Sequence, residues 1–435
     1  MKPEKTPSAG PAAVRGSADP QTELPGETSQ RVILVGIYTS DEKDCVESLD
    51  ELEALARTAG AVCAGRLMQK MTGEGGHPGF YIGSGKTEEL RDLVEWEEAD
   101  AVICDDELTP VQMRNLQNEL EVEVLDRTLL ILDIFAGRAR TSEGKLQVEL
   151  AQLSYRLSHL TGMGKMLSRQ GGGIGTRGPG EKKLETDRRR IRERITRLKK
   201  ELEEVRRHRT LLRSHRREGL MPTAALVGYT NSGKSTLLNR LTHAGAYAAD
   251  QLFATLDPLT RVLTLPDGAQ VLLTDTVGFI RKLPHTLIRA FRSTLEEALY
   301  ADSLIHVVDV SSPMMEKQMY VVYQTLRELG VTGKPVITLF NKADRTEGTR
   351  PSLRDPQSDA AILCSARTGE GLDSFLDTLG KILDNRMIRI ERVYAYKDAG
   401  KEALIRRCGR ILDLEYTGDG IRITALVPPE IYGQV

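Results

Sequence analysis

No run of apolar residues in this 435-residue chain is long enough to cross a bilayer. That excludes a protein built on membrane-spanning helices. The five cysteines, Cys45, Cys63, Cys104, Cys364 and Cys408, include no CxxC pair. Their number is odd and their neighbours are mostly apolar, which argues against a disulfide framework or a zinc site; reduced, buried thiols are expected. Residues 1–30 lack the apolar core of a signal peptide and mix Pro, Gly, Ser, Thr and Glu. Such a composition cannot bury enough surface to offset its ordering entropy, so a disordered arm is expected there, on a cytoplasmic protein. One further absence concerns a single position. DTVGF (275–279) has the form of a nucleotide-sensing switch, yet the Gln that often follows its Gly to orient water is replaced by Phe279.

What is present is a soluble composition, 40% hydrophobic and 28% charged, long enough for several cores. The net charge of -2 conceals an asymmetry: Lys165 to Glu218 carries 19 Lys/Arg against 8 Asp/Glu. An excess of this size means a polyanionic partner or a solvated helix surface.

The apolar periodicity divides the chain. Residues 31–140 alternate short apolar runs (RVILVGIY, AVCAGRLM, ADAVICDD, VEVLDR) with helical stretches, which predicts a small parallel α/β sheet. Leu146, Leu150, Leu153, Leu157 and Leu160 then repeat at 4-3-4-3, as do Ile191, Ile195, Leu198, Leu202 and Val205, with Leu184 one heptad earlier. Two matching seams joined by a turn predict an antiparallel helical hairpin over 141–218. A second helix of roughly 35 residues would extend about 50 Å. The tip, GMGKMLSRQGGGIGTRGPGEKK (162–183), is expected to be non-helical because of its glycines and Pro179. It is either a plain flexible loop or a basic probe for a nucleic-acid backbone. From 222 to 384 the α/β pattern returns, with TAALV, VLLTDT, IHVVDV, PVITLF and AAILCS as strands. Residues 387–435 read as a small βαββ unit whose hairpin turns at TGDG. The fold class expected is therefore multidomain α/β.

The strand ends carry the chemistry. GYTNSGKST (Gly228, Tyr229, Thr230, Asn231, Ser232, Gly233, Lys234, Ser235, Thr236) fits GxxxxGK[ST] between a strand and a helix. Its glycines let the backbone wrap phosphates, Lys234 reaches the β/γ-phosphates and Ser235 offers a hydroxyl to Mg²⁺. DxxG (Asp275, Thr276, Val277, Gly278) follows an apolar strand; Asp275 can hold Mg²⁺ through water and the Gly278 N–H can meet the γ-phosphate. Between them, FATLD (Phe253, Ala254, Thr255, Leu256, Asp257) lies in a loop-like stretch, with Thr255 the candidate switch hydroxyl on Mg²⁺ and Thr260 the alternative. NKAD (Asn341, Lys342, Ala343, Asp344) ends a strand, and Asp344 can accept from the guanine N1–H and 2-amino group, donors that adenine lacks. SAR (Ser365, Ala366, Arg367) closes the base pocket through backbone N–H groups, mainly that of Ala366. Five motifs in order predict GTP binding, with Lys234, Thr255, Gly278 and Asn231 the catalytic candidates. GSGKT (83–87) imitates a second phosphate loop, but the Gly required five residues before Gly85 is Phe80. A tight strand–helix loop and adenine-nucleotide binding both stay open there.

The whole ordered chain, about 31–428, resembles the HflX family of ribosome-associated GTPases. The specific signature is GGGIGTRGPGEKKLETDRRRIRERI (171–195) ahead of GYTNSGKST, FATLD, DTVGFI and NKAD. Lys182-Lys183 stands where many relatives carry Thr-Gln, which adds positive charge. The resemblance implies a GTP-hydrolysing switch with Mg²⁺ that binds the large ribosomal subunit, in ribosome splitting, rescue or assembly. It also implies a monomer whose hydrolysis is slow until the subunit stimulates it. The basic arm, with Arg177, Lys182, Lys183, Arg188, Arg189 and Arg190, is the rRNA-binding candidate. Asn231 occupies the position at which the potassium-stimulated GTPases of the superfamily hold a monovalent cation. K⁺ binding there and a hydrogen bond within its own loop stand level. A GTP-binding regulator of tRNA modification or membrane transport would need a partner domain or spans that the sequence does not show. A coiled coil used only for dimerisation survives on sequence.

Overall fold

The computed structural model describes residues 29–72, 76–170, 179–218, 221–242, 251–284, 287, 292–346, 353–418 and 420–435, with the backbone alone for 161–170, 179–184, 210, 212–218, 292–295 and 430. The expected disordered arm, residues 1–30, lies outside the described residues up to position 28.

The first unit runs β1 (Arg31–Tyr38), α1 (Glu42–Thr58), β2 (Val62–Lys70), α2 (Ser84–Trp96), β3 (Ala101–Cys104), α3 (Pro110–Leu120), β4 (Glu123–Asp126) and α4 (Arg127–Arg138). Its four strands pair in the order β2-β1-β3-β4, all parallel. Strand alternation sends Val32 and Leu34 of β1 to one face, with Leu49 and Leu52 of α1 and Ile131 of α4, and Ile33 and Val35 to the other, with Leu90 of α2 and Leu116 of α3. The helices start where the sequence supplies caps. Asp41 accepts from the Asp44 N–H, with Glu42 and Asp44 in the first turn of α1. Thr109 and Gln112 form a reciprocal capping box on α3, with Pro110 in the first turn.

Two long helices follow, α5 (Ser142–Gln170) and α6 (Pro179–Glu218). The 40 residues of α6 span about 60 Å. The seam forms as the heptads require: Ile195, Leu198 and Leu202 are buried. Arg194 Nε and Nη2 clamp the Glu149 carboxylate at 2.7 and 2.8 Å, and Arg209 pairs with Glu143. One expectation is corrected here. The tip is not irregular over 162–183: α5 continues to Gln170 and α6 starts at Pro179, so only 171–178 lies outside the described residues. Pro179 starts the second helix, because a first-turn residue has no intrahelical N–H bond to lose. The base of the hairpin packs on the first unit. A second face of α5, Val148, Ala151 and Tyr155, is buried, and the Tyr155 hydroxyl donates to Asp126 Oδ2 at 2.8 Å.

The next unit comprises β5 (Thr223–Val227), α7 (Lys234–Thr242), β6 (Leu259–Thr264), β7 (Gln270–Asp275), α8 (Arg292–Tyr300), β8 (Ser303–Asp309), α9 (Met315–Glu328), β9 (Val336–Asn341), β10 (Ala360–Leu363) and α10 (Leu372–Asp384). Its sheet has the order β10-β9-β8-β5-β7-β6, with β6 antiparallel to β7 and the rest parallel. The edge strand β6 was not expected: LTRVLT is largely exposed and interrupted by Arg261, so it lacks the apolar run of the inner strands. The last unit, β11 (Ile388–Tyr394), α11 (Ala399–Cys408), β12 (Arg410–Thr417) and β13 (Gly420–Val427), is the expected βαββ arrangement, an antiparallel sheet ordered β11-β13-β12. Arg410 holds it to the preceding unit through Asp267 at 2.7 Å and Asp384 at 3.0 Å. Cys45, Cys104, Cys364 and Cys408 are buried free thiols and Cys63 is partly buried.

One apolar cluster runs through both large units. It joins Leu52, Ile131 and Phe135 to Tyr229, Phe253, Val277 and Phe279. A charged layer lies beside it. Arg127, buried on α4, contacts Glu51 and, at 2.7 Å, Asp105, while Lys282 reaches Asp106 at 2.7 Å and Arg281 clasps Asp44 at 2.7 and 2.8 Å. Burial alone would lower the Arg127 guanidinium, but Glu51 and Asp105 more than offset that and keep it charged. Arg127→Ala removes the cation between two buried carboxylates, leaving Glu51 only the Tyr229 hydroxyl and Asp105 only Ser48 and Lys282, and is expected to cost about 3–5 kcal/mol. Urea denaturation checks this; a midpoint equal to the parent's would show that the layer does not hold the units together.

Candidate nucleotide site

The phosphate loop folds as its residue types dictate. Gly233 has φ +98°, and a Cβ there would lie 2.3 Å from Asn341 Nδ2, so the position takes only glycine. Asn231 adopts φ 58°, a left-handed conformation that Asn tolerates better than most residues. The loop is tied to the DxxG segment through Phe279: its N–H donates to Gly228 O at 3.1 Å and its O accepts from the Thr230 N–H at 2.7 Å. Its ring is 1% exposed, within the apolar cluster, and faces no site.

Thr230, Asn231, Gly233, Lys234, Ser235 and Thr236 line a pocket together with Phe253, Ala254, Thr255, Thr276 and Gly278; Gln251 also lines it, a residue the motifs did not include. Lys234 is buried and donates to Gly228 O at 3.1 Å and Tyr229 O at 2.7 Å. Burial lowers its ammonium to about 8 against the pull of Asp275. Three hard oxygens converge beside it. Ser235 Oγ lies 2.6 Å from Asp275 Oδ2 and 2.8 Å from Thr255 Oγ1, and Thr255 Oγ1 lies 3.0 Å from Asp275 Oδ2. Burial pushes the Asp275 carboxyl up, opposed by Lys234 and the two hydroxyls. Asp275 Oδ1, Thr230 Oγ1 and Ser232 Oγ are buried with no protein partner, the pattern of a site shaped for a polar ligand. One carboxylate and two hydroxyls suit Mg²⁺, which keeps several waters and is completed by phosphate oxygens. Thr260 does not compete for this place: its hydroxyl pairs across the strands with Thr274 Oγ1 at 2.9 Å.

At the base end, Asn341 Nδ2 donates to Ser232 O at 2.8 Å and so braces the phosphate loop. Lys342 pairs with Asp309 at 2.6 Å, and the Ser365 hydroxyl donates to Asp344 Oδ1 at 2.6 Å. That bond holds the Asp344 carboxyl below its ordinary range, so it is ionised at neutral pH. Ala343 follows Lys342 in a single 3-10 turn and Arg367 lies on the surface after Ala366.

Several expected ligands face elsewhere. The Ala366 N–H is taken by Asn341 Oδ1 at 2.9 Å rather than left open to a base. The Tyr229 ring is buried and its hydroxyl donates to Glu51. Leu256 and Val277 are buried in the apolar cluster. The Asp257 carboxylate accepts from the Arg140 and Thr141 N–H groups, both at 2.9 Å. Within FATLD, Phe253, Ala254 and Thr255 line the pocket, whereas Leu256 and Asp257 face away from it. Of the rRNA candidates, Arg177 and the side chains of Lys182 and Lys183 lie outside the described residues. Arg188 turns inward, donating to Leu160 O, whereas Arg189 and Arg190 are exposed. At GSGKT, Gln69 Oε1 accepts from the Gly83 N–H at 2.8 Å and Lys86 pairs with Glu89, which favours the strand–helix loop.

This phosphate loop, oxygen cluster and NKAD strand end, on a six-stranded sheet with one antiparallel edge, define a P-loop GTPase. Family models agree: residues 223–342 match one described as a 50S ribosome-binding GTPase, 46–136 a GTP-binding GTPase N-terminal region and 138–216 a GTP-binding GTPase middle region. The chain is 58% identical over 410 residues to the GTPase HflX of Lacrimispora saccharolytica, covering 94% of this chain and 96% of the relative. It is 49% identical over 402 residues to that of Caldanaerobacter subterraneus, covering 92% of each. Among solved structures, a GTP-binding protein from Sulfolobus solfataricus in complex with GDP is 27% identical, with a TM-score of 0.43 over 81% of this chain and 98% of that one. The chain belongs to the HflX family of GTPases. Among the described residues no helix is long and apolar enough to cross a membrane.

Proposed function

We propose that this GTPase is a cytoplasmic, monomeric switch that binds the large ribosomal subunit and acts in ribosome splitting, rescue or assembly, with the hairpin contacting rRNA. In this reading 31–140, 141–218, 222–384 and 387–435 act as separate units behind the arm 1–30. Lys234 and the loop N–H groups hold the phosphates, Ser235, Thr255 and Asp275 hold Mg²⁺, and Asp344 reads guanine. A K⁺ ion at Asn231 is the proposed further cofactor; it would supply positive charge where negative charge develops in the transition state.

The observation that carries the reading is the outer face of α6. Arg189, Arg190, Arg192, Arg197, Lys199, Lys200 and Arg207 are exposed along one helix that leaves the GTPase unit. Arg189 pairs with Glu193 and Arg207 lies near Glu203, but the cations outnumber the exposed carboxylates, and a long helix with a net positive face suits the phosphate backbone of folded RNA. The resemblance to relatives whose family model is described as ribosome-binding supports the same partner.

The test is co-sedimentation with purified subunits across a salt series. Replacing Arg189, Arg190 and Arg192 by Gln is expected to weaken binding and to flatten the slope of log affinity on log salt by roughly 0.7–0.9 for each phosphate left without its cation. Nucleotide affinity should stay unchanged. An unaltered slope, or self-association of the chain through the hairpin, would turn the arm into a solvated helix or a dimerisation device.

A further inference from the structure

The segment that carries Thr255 is pinned at both ends to elements outside the GTPase sheet. On one side, Phe253 is buried with its ring edge-on to Phe135 of α4, the centroids 4.7 Å apart and the planes at 80°. Its φ of 54° is strained for an aromatic residue, and such a conformation persists only where the surroundings impose it. On the other side, Asp257 sits at the start of α5. Its Oδ2 accepts from the backbone N–H groups of Arg140 and Thr141, and its Oδ1 from the Thr141 hydroxyl, which in turn caps the Gly144 N–H at 2.9 Å. The two backbone N–H groups just ahead of α5 and the positive end of its dipole both favour a carboxylate there. The fit is close: a Cβ on Gly144 would lie 2.5 Å from Asp257 Oδ1. Between these anchors the Thr255 hydroxyl stands within 3.0 Å of both Ser235 Oγ and Asp275 Oδ2.

We propose that Asp257 is a positioning residue for GTP hydrolysis: by bonding Arg140 and Thr141, the two residues that lead into α5, it makes the base of the hairpin the anchor that holds Thr255 over the metal site. The inference rests on the proposed role of Thr255 as a metal and γ-phosphate ligand. α5 is the helix that continues into the arm, so a force that shifts the arm reaches Thr255 through one carboxylate. The dipole and the N–H groups bind the side chain only while α5 keeps its place, so the switch loop reports the position of the hairpin.

The test is single-turnover GTP hydrolysis by the full chain without subunits, so the outcome does not depend on ribosome binding. Asp257→Ala is expected to lower the rate constant about 10–100-fold, the range for residues that orient a metal ligand, and to raise the Mg²⁺ concentration needed for half-maximal rate. GDP affinity, which makes no use of Thr255, should stay within about twofold. Asp257→Asn keeps an acceptor for the two N–H groups and should recover most of the rate. Gly144→Ala, on the arm side of the contact, should reproduce the defect without altering the switch segment. Thr255→Ala sets the floor. A helix cap that only stabilised the fold would lower the melting temperature and leave the rate per folded molecule and the Mg²⁺ requirement as they were; that result, with Thr255→Ala impaired, overturns the proposal. If Thr255→Ala is itself as active as the parent, the reading of Thr255 fails first and the inference falls with it.

Discussion

Purified large ribosomal subunits are expected to raise the single-turnover rate of GTP hydrolysis by about 10³–10⁵-fold, the range spanned by partner-supplied catalytic groups. The reason lies in what surrounds the pocket. The residue after Gly278 is Phe279, and its ring is buried in the core that joins the two large units. No side chain at that position can orient water, and in the proposed reading the group that does so is ordered or supplied when the subunit binds. Phe279→Gln tests this from the other side. A Gln there would not face the pocket; it would bury an amide in an apolar cluster, at a cost of about 1–3 kcal/mol. It is therefore expected to melt earlier and to hydrolyse no faster. Rates in K⁺ and Na⁺ at equal ionic strength, with Asn231→Ala alongside, show whether part of the missing charge is a monovalent cation. Equal rates with and without subunits would refute the stimulated switch, and a fast Phe279→Gln variant would show that the ring had occupied the place of a water-orienting group.

The phosphate loop, DxxG and NKAD were legible because each follows or ends a strand, where backbone geometry leaves little choice, whereas FATLD was found as a loop motif between them. The first sheet, the GTPase strands other than β6 and the terminal βαββ unit followed from short apolar runs and the helical stretches and turns between them. What periodicity did not show was which way each loop residue points. Tyr229 and Asp257 sit inside nucleotide motifs, yet their polar ends are used by Glu51 and by the start of α5. Both hydrogen bonds join residues more than a hundred positions apart, and a local pattern carries no record of such a partner. The same holds for Arg127, whose charge has a place in the core only because Glu51 and Asp105 arrive from other elements. For α5, the leucine seam drew attention from a second apolar face: Val148, Ala151 and Tyr155 lie between the half-buried heptad leucines and are themselves buried, so the hairpin was legible but its packing on the first unit was not.

Asp344→Asn is expected to weaken GTP and GDP binding by roughly 10²–10⁴-fold and to raise affinity for the xanthine nucleotides. Asp344 ends the strand–turn NKAD, and its Oδ1 is already fixed by the Ser365 hydroxyl at 2.6 Å. That bond orients the carboxylate and keeps it ionised, so both oxygens are acceptors, matched to the N1–H and 2-amino donors of guanine. Two hydrogen bonds to a charged group are worth about 3–6 kcal/mol in all, which converts to the stated factor. An amide replaces one acceptor by a donor. With its oxygen held by Ser365, the NH₂ faces the 2-amino group of guanine donor to donor, but meets the 2-carbonyl of xanthine as a hydrogen bond. Asn341 braces the phosphate loop from the same turn, so a nonspecific collapse of the turn would weaken both nucleotides together. Competition of GDP and xanthosine diphosphate against a fluorescent nucleotide separates these outcomes. Loss of guanine with gain of xanthine identifies Asp344 as the base reader. Parallel loss of both would make it a structural brace, and full retention of GDP affinity would place base recognition on other groups.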